Sequence, residues 1–156
     1  MKDTQNPVLD CPVQRTLIKI TENYTYGDMI KHSWLYEHLE IEFPQFGEKH
    51  EFEAPMFKYM SYLQALQDML LREHQMYLMN SKGYGYRIVK PGEQADVAMS
   101  RFREKIRKET NKAMEALTYI NTKLLTDDQI KRKDEAIGKV AALSAFSAKK
   151  IGHSIV

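Results

Sequence analysis

From Gln94 onward, apolar residues recur at spacings of three, four and seven: Met99, Phe102, Ile106, Ala113, Leu117 and Ile120. That pattern predicts one long amphipathic helix. A second set, Ile130, Ile137, Val140, Leu143 or Ser144, and Ser147, continues it after Thr126-x-x-Gln129, a capping-box pattern with acids in the first turn. Two long helices joined by roughly five residues predict an antiparallel hairpin over 93–156, with Lys149 and Lys150 suiting its C-terminal end.

The first ninety residues follow a different rhythm. Residues 1–14, with Asn6-Pro7 and Cys11-Pro12, predict an irregular arm. "RTLIKITEN" then alternates partly and is rich in β-branched residues, which predicts a short strand. "TYGDMIKHSWLYEHLEI" puts Ile30, Trp34, Leu35, Leu39 and Ile41 on one face, a first helix with Thr25 or Asp28 as its cap. "EFPQFGEKHEFEAP" breaks the pattern and predicts a loop. Pro55 suits the first turn of a second helix reaching His74, with Met56, Met60, Leu63, Leu66 or Gln67, and Leu70 inward. Two runs of β-formers, "QMYLMN" and "YRIVK", flank "SKGYG" and predict a two-stranded ribbon.

Composition narrows the class. With 43% apolar and 28% charged residues, the chain has the balance of a folded globular protein. The formal charge of +2 is small, but its distribution is not even. Residues 31–53 hold six glutamates (37, 40, 42, 48, 51 and 53) against Lys31 and Lys49. Residues 97–113 hold six lysines or arginines against Glu104 and Glu109. Such polarity steers a charged partner or pairs two subunits head to tail. One cysteine, Cys11, leaves no internal disulfide framework and fits a reducing compartment. No apolar run reaches the roughly 18 residues a membrane span needs, and the first residues lack a signal-peptide core. The expected location is the cytoplasm.

"KGYGYR" (82–87) is the motif that raises a functional question. A dinucleotide fingerprint needs a third glycine and a following helix, and a phosphate loop needs a closing Gly-Lys-Ser/Thr. Neither is present, so a hairpin turn is the reading that fits. The histidines (32, 38, 50, 74 and 153) form no HExxH and meet no C-x-x-C, so neither metal nor cofactor is expected. No residue set has the spacing of a catalytic constellation, and the chain is expected not to be an enzyme.

The order strand, helix, loop, helix, ribbon is that of a winged helix-turn-helix. Lys82-Gly83-Tyr84-Gly85-Tyr86-Arg87 resembles the R-G-x-G-Y-R turn that closes output domains of OmpR-type response regulators, with lysine in place of the first arginine. The resemblance covers roughly residues 15–90 and implies an α+β, mostly α fold. In that fold a winged-helix domain (15–92) precedes the hairpin (93–156). It also implies that the helix from Met56 to His74 enters the major groove of double-stranded DNA. Lys58, Ser61, Gln64 and Arg72 would then meet DNA, with Lys82, Tyr84 and Arg87 at the wing. The basic stretch Arg101, Lys105, Lys108 and Lys112 is an alternative phosphate track, or a set of partners for Glu104, Glu109 and Glu115.

The expectation is a small transcription regulator, dimeric through a four-helix interface built from two hairpins. A competing expectation is an inhibitor or adaptor of the kind phages and mobile elements encode. It would dock on a protein partner within a nucleoprotein machine through the acidic segment Glu37 to Glu53.

Overall fold

The structure, a computed structural model, describes residues 11–148. The chain divides into two compact units that meet between Gln94 and Ala95. The expected irregular arm over the first ten residues, and Lys149, Lys150 and His153, lie outside the described residues.

The first unit opens with α1 (Pro12–Asn23), where the sequence predicted irregular chain and then a strand. Val13, Thr16, Leu17 and Ile20 are its buried residues, spaced as one helical face, and Pro12 occupies the first turn. Four-residue spacing of buried groups thus outweighs the weak β preference of Ile18, Ile20 and the threonines. The hydroxyl of Thr16 is fully buried and lies 2.7 Å from the carbonyl of Pro12 and 2.9 Å from that of His38. Its single proton is shared between α1 and the end of the next helix.

That next helix is shorter than predicted. Residues 29–31 form a strand, β1 (Met29–Lys31), and α2 is only His32–His38. The proposed caps Thr25 and Asp28 cap no helix. Asp28 instead accepts the Thr25 N–H at 2.8 Å. Gly27 donates to the Ile88 carbonyl at 2.7 Å, and Ile88 donates to the Asp28 carbonyl at 2.9 Å. These bonds commit the chain to a sheet before α2 begins.

The long helix α3 (Lys49–His74) starts before Pro55, which lies inside it. Glu51 sets the start, its carboxylate accepting the Glu48 N–H at 2.9 Å. Proline here forfeits a hydrogen bond to the carbonyl of Glu51, an exposed residue whose carbonyl water can satisfy. The buried face of α3 is Tyr59, Leu63, Leu66 and Leu70. Met56 and Met60, predicted inward, are 44% and 54% exposed. Tyr59 takes the inward position because its phenol finds a partner there.

Strands β2 (Leu78–Ser81) and β3 (Gly85–Ile88) complete an antiparallel sheet in the order β1-β3-β2. Ile30 pairs with Tyr86, and Leu78 pairs with Ile88, which puts these buried side chains on one face. Leu17, Ile20, Leu35, Leu39 and the α3 leucines close on that face to make the core.

In the second unit, α4 (Pro91–Thr118, whose first turn belongs to the first unit) is followed by a 3-10 turn at Thr122–Leu124 and by α5 (Asp127–Ala148). The predicted capping box is present. Thr126 donates its N–H to the Gln129 side chain at 2.9 Å, and Gln129 returns one to the Thr126 hydroxyl at 3.3 Å. No described helix is long and apolar enough to cross a membrane.

Candidate nucleic-acid interface

The hairpin turn between β2 and β3 is built by two glycines with different tasks. Gly83 has φ +80 in open space, so it supplies a left-handed backbone. Gly85 has φ +156, and a Cβ there would fall 1.9 Å from the Ile30 carbonyl oxygen. It is glycine because β1 passes against it. Tyr84 donates its N–H to the Ser81 carbonyl at 3.0 Å and accepts one from His32 at 3.1 Å. The tyrosines then part company, Tyr86 inward at 7% exposure and Tyr84 outward at 74%. Lys82 is exposed beside Tyr84.

Behind the turn stands an aromatic box that the sequence reading missed. The His32 ring stacks on Tyr36, at 6.1 Å between centroids and 18°, and meets Tyr59 and Tyr86 edge-on. Its Nδ1 lies 3.1 Å from the Tyr59 hydroxyl. Burial first, then Tyr86 and Tyr36, pushes the Tyr59 phenol well above its ordinary range. It therefore stays neutral and hydrogen-bonded. Nine tyrosines in the chain were the available signal, but their convergence on one histidine depends on tertiary packing.

Each predicted DNA residue has a definite setting. Ser61, Gln64 and Arg72 are exposed on α3 at helical spacing, with Asp68 between them. The Gln64 amide donates to Asp68 at 3.1 Å. Lys58 is turned about 120° from Gln64 around the helix axis. It donates to the Glu40 carbonyl at 3.3 Å and lies 5.5 Å above the Tyr62 ring. Arg87 is on the outer face of β3, bound to Glu93 at 2.9 Å, and so is already engaged. The turn therefore offers Lys82 and Tyr84 without Arg87.

Beyond Lys49 in its first turn, the rest of the exposed α3 surface is neutral to acidic. Phe57 is 75% exposed, and Glu51 and Glu53 flank it toward the N-terminus. The six glutamates of 37–53 are all exposed, and one of them, Glu40, pairs with Arg15. Among the described residues no three His, Cys, Asp or Glu side chains are placed to hold a metal ion.

In the second unit, Arg101, Lys105, Lys108 and Lys112 are exposed on α4, spaced four, three and four apart. Lys108 pairs with Glu104 at 2.8 Å and Lys112 with Glu109 at 3.3 Å. Glu115, the third predicted partner, enters neither pair. Comparison with protein-family models, curated proteins and solved structures returns no match.

Proposed function

We propose that residues 12–94 are a winged helix-turn-helix and that the chain is a small DNA-binding regulator. The observation that carries this reading is the element order α1-β1-α2-α3-β2-β3 with β3 central, closed by a turn that presents Lys82 and Tyr84 outward. In this arrangement α3 is the recognition helix, and the turn is a wing lying on the phosphate backbone. Ser61, Gln64 and Arg72 are the α3 groups available to base edges and phosphates.

The reading extends to a homodimer. No apolar side chain of the described second unit is buried, while Phe102, Leu143 and Phe146 are 50%, 52% and 54% exposed. A two-helix hairpin left so open is completed by a second hairpin. Light scattering on the purified protein is expected to give twice the 18.3 kDa chain mass. A monomer mass throughout the micromolar range would remove this part of the proposal.

A second reading rests on the exposed aromatics beside the acidic segment. Phe46 is 92% exposed and Phe57 75%, next to Glu48, Glu51 and Glu53. That surface suits a basic, partly apolar protein partner better than a phosphate backbone.

One titration separates the two. Fluorescence anisotropy on a random-sequence duplex, across a salt series, compares the natural chain with Lys82→Ala/Tyr84→Ala and with Phe57→Ser/Met60→Ser. The wing reading expects salt-sensitive binding that the first variant weakens at least tenfold, with a salt slope lower by about one. If α3 enters the groove, the second variant also loses affinity. If that face serves a protein, its DNA affinity stays within twofold. Absence of binding at low salt would sink the regulator reading.

A further inference from the structure

We propose that the groove between the N-terminal half of α4 and the C-terminal turns of α5 is a binding site for phosphate groups, separate from the wing. It does not depend on the wing reading, because every residue in it belongs to the second unit.

The half-buried positions along α5 are Ile130, Lys133, Ile137, Val140, Ser144 and Ser147, spaced three and four apart, with Ala136 beside them. Such spacing is the seam a helix turns toward its partner. Along this seam the apolar residues stop at Val140, and two serines follow. On α4, the helix opposite them, the stripe Ser100, Arg103, Arg107 and Asn111 lines the same groove, whose volume is about 670 Å³. That is the size range of small-ligand sites. At the end of a helical hairpin, where leucine-like residues would close the seam, the chain instead places hydroxyls, an amide and two guanidinium groups.

The charge balance of the groove favours an anion. Arg103 and Arg107 stand one helical turn apart, and neither forms an ion pair among the described residues. The groove's carboxylate, Glu104, is satisfied by Lys108 at 2.8 Å. The Lys108 hydrogen bond first, and then its charge, hold the Glu104 carboxyl below its usual range, with weaker pulls from Arg107 and Arg101. Ser147 donates to the Ser144 carbonyl at 2.8 Å, so its oxygen can only accept, from a bound water, while the Ser144 hydroxyl is left to donate to a phosphate oxygen. Two planar forks side by side match the oxygens of a phosphate, where a lysine pair would supply only point charges. The source of the phosphate is either a nucleic-acid strand or a free nucleotide.

The test uses the full chain and two probes, a labelled random-sequence duplex and ATP without metal. Arg103→Gln/Arg107→Gln is compared with Lys131→Gln/Lys139→Gln, which removes the same charge from exposed positions of the second unit outside the groove. Circular dichroism confirms that both fold, and duplex binding is repeated in the Lys82→Ala/Tyr84→Ala background to remove the wing. The expected result is that the arginine pair weakens at least one probe tenfold while the lysine pair stays within twofold. Loss confined to the duplex assigns the site to a nucleic-acid strand; loss for ATP as well assigns it to free phosphate compounds too. Equal losses in the two doubles, or failure of both probes to bind the chain with its wing removed, would overturn the proposal. The latter leaves the wing reading standing if the chain with its wing intact still binds the duplex.

Discussion

Gly85→Ala is expected to destabilise the first unit by at least about 3 kcal/mol, a large share of the 5–15 kcal/mol typical of a folded domain. The new methyl would sit 1.9 Å from the Ile30 carbonyl oxygen and 2.8 Å from the Cα of Lys31. Both are backbone atoms of β1, so the clash can be relieved only by moving a strand. Gly83→Ala in the same turn meets nothing within 4 Å. It should lose only about 1–2 kcal/mol, the cost of a left-handed backbone for a residue with a side chain. Trp34, the one tryptophan, lies in this unit and packs on Tyr24 and His38, so urea unfolding followed by its fluorescence reads both variants. Equal losses at the two glycines would contradict the close passage of β1 over the turn.

Leu66→Ala should cost about 3 kcal/mol, through lost burial and the cavity left behind. With a urea dependence of about 1–2 kcal/mol per molar, its midpoint falls by roughly 2 M. Leu66 is fully buried, whereas Met60 on the same helix is 54% exposed. Met60→Ala should therefore change stability by no more than about 0.5 kcal/mol. The contrast tests the rotation of α3 about its own axis. A large loss at Met60 would restore the inward stripe of Met56 and Met60 that periodicity alone predicts, and would turn Tyr59 outward.

That rotation marks the boundary of what the sequence discloses. Features determined by neighbouring residues were legible: the glycine turn, its two flanking strands, the Thr126–Gln129 box and the two long helices. Features determined by distant partners were not. β1 is three residues long, and its existence depends on Arg87, Tyr86 and Gly85, far along the chain. A run as short as Met-Ile-Lys carries no periodicity of its own. In α1, Thr16 looks like a strand former until the His38 carbonyl supplies a partner for its hydroxyl. Tyr59 could not be told from Met60 as the inward residue without His32 to receive its phenol. Of the candidate surface, the exposure of Lys82 and Tyr84 was legible because a turn exposes its tip. The ion pair of Arg87 with Glu93 was not, since it joins the outer face of β3 to the first turn of α4.

The sheet order also limits how this protein can associate. With β3 in the centre, both margins of the sheet are short: β1 spans three residues and β2 four. Lys31 ends one margin, and Lys82 follows the end of the other. Margins this brief, ending in charge, give an incoming strand little ladder to extend and resist the edge-to-edge stacking that seeds aggregates. Any copy or partner this chain recruits must therefore be gripped by side chains on its helices and turn, and not by lengthening its sheet.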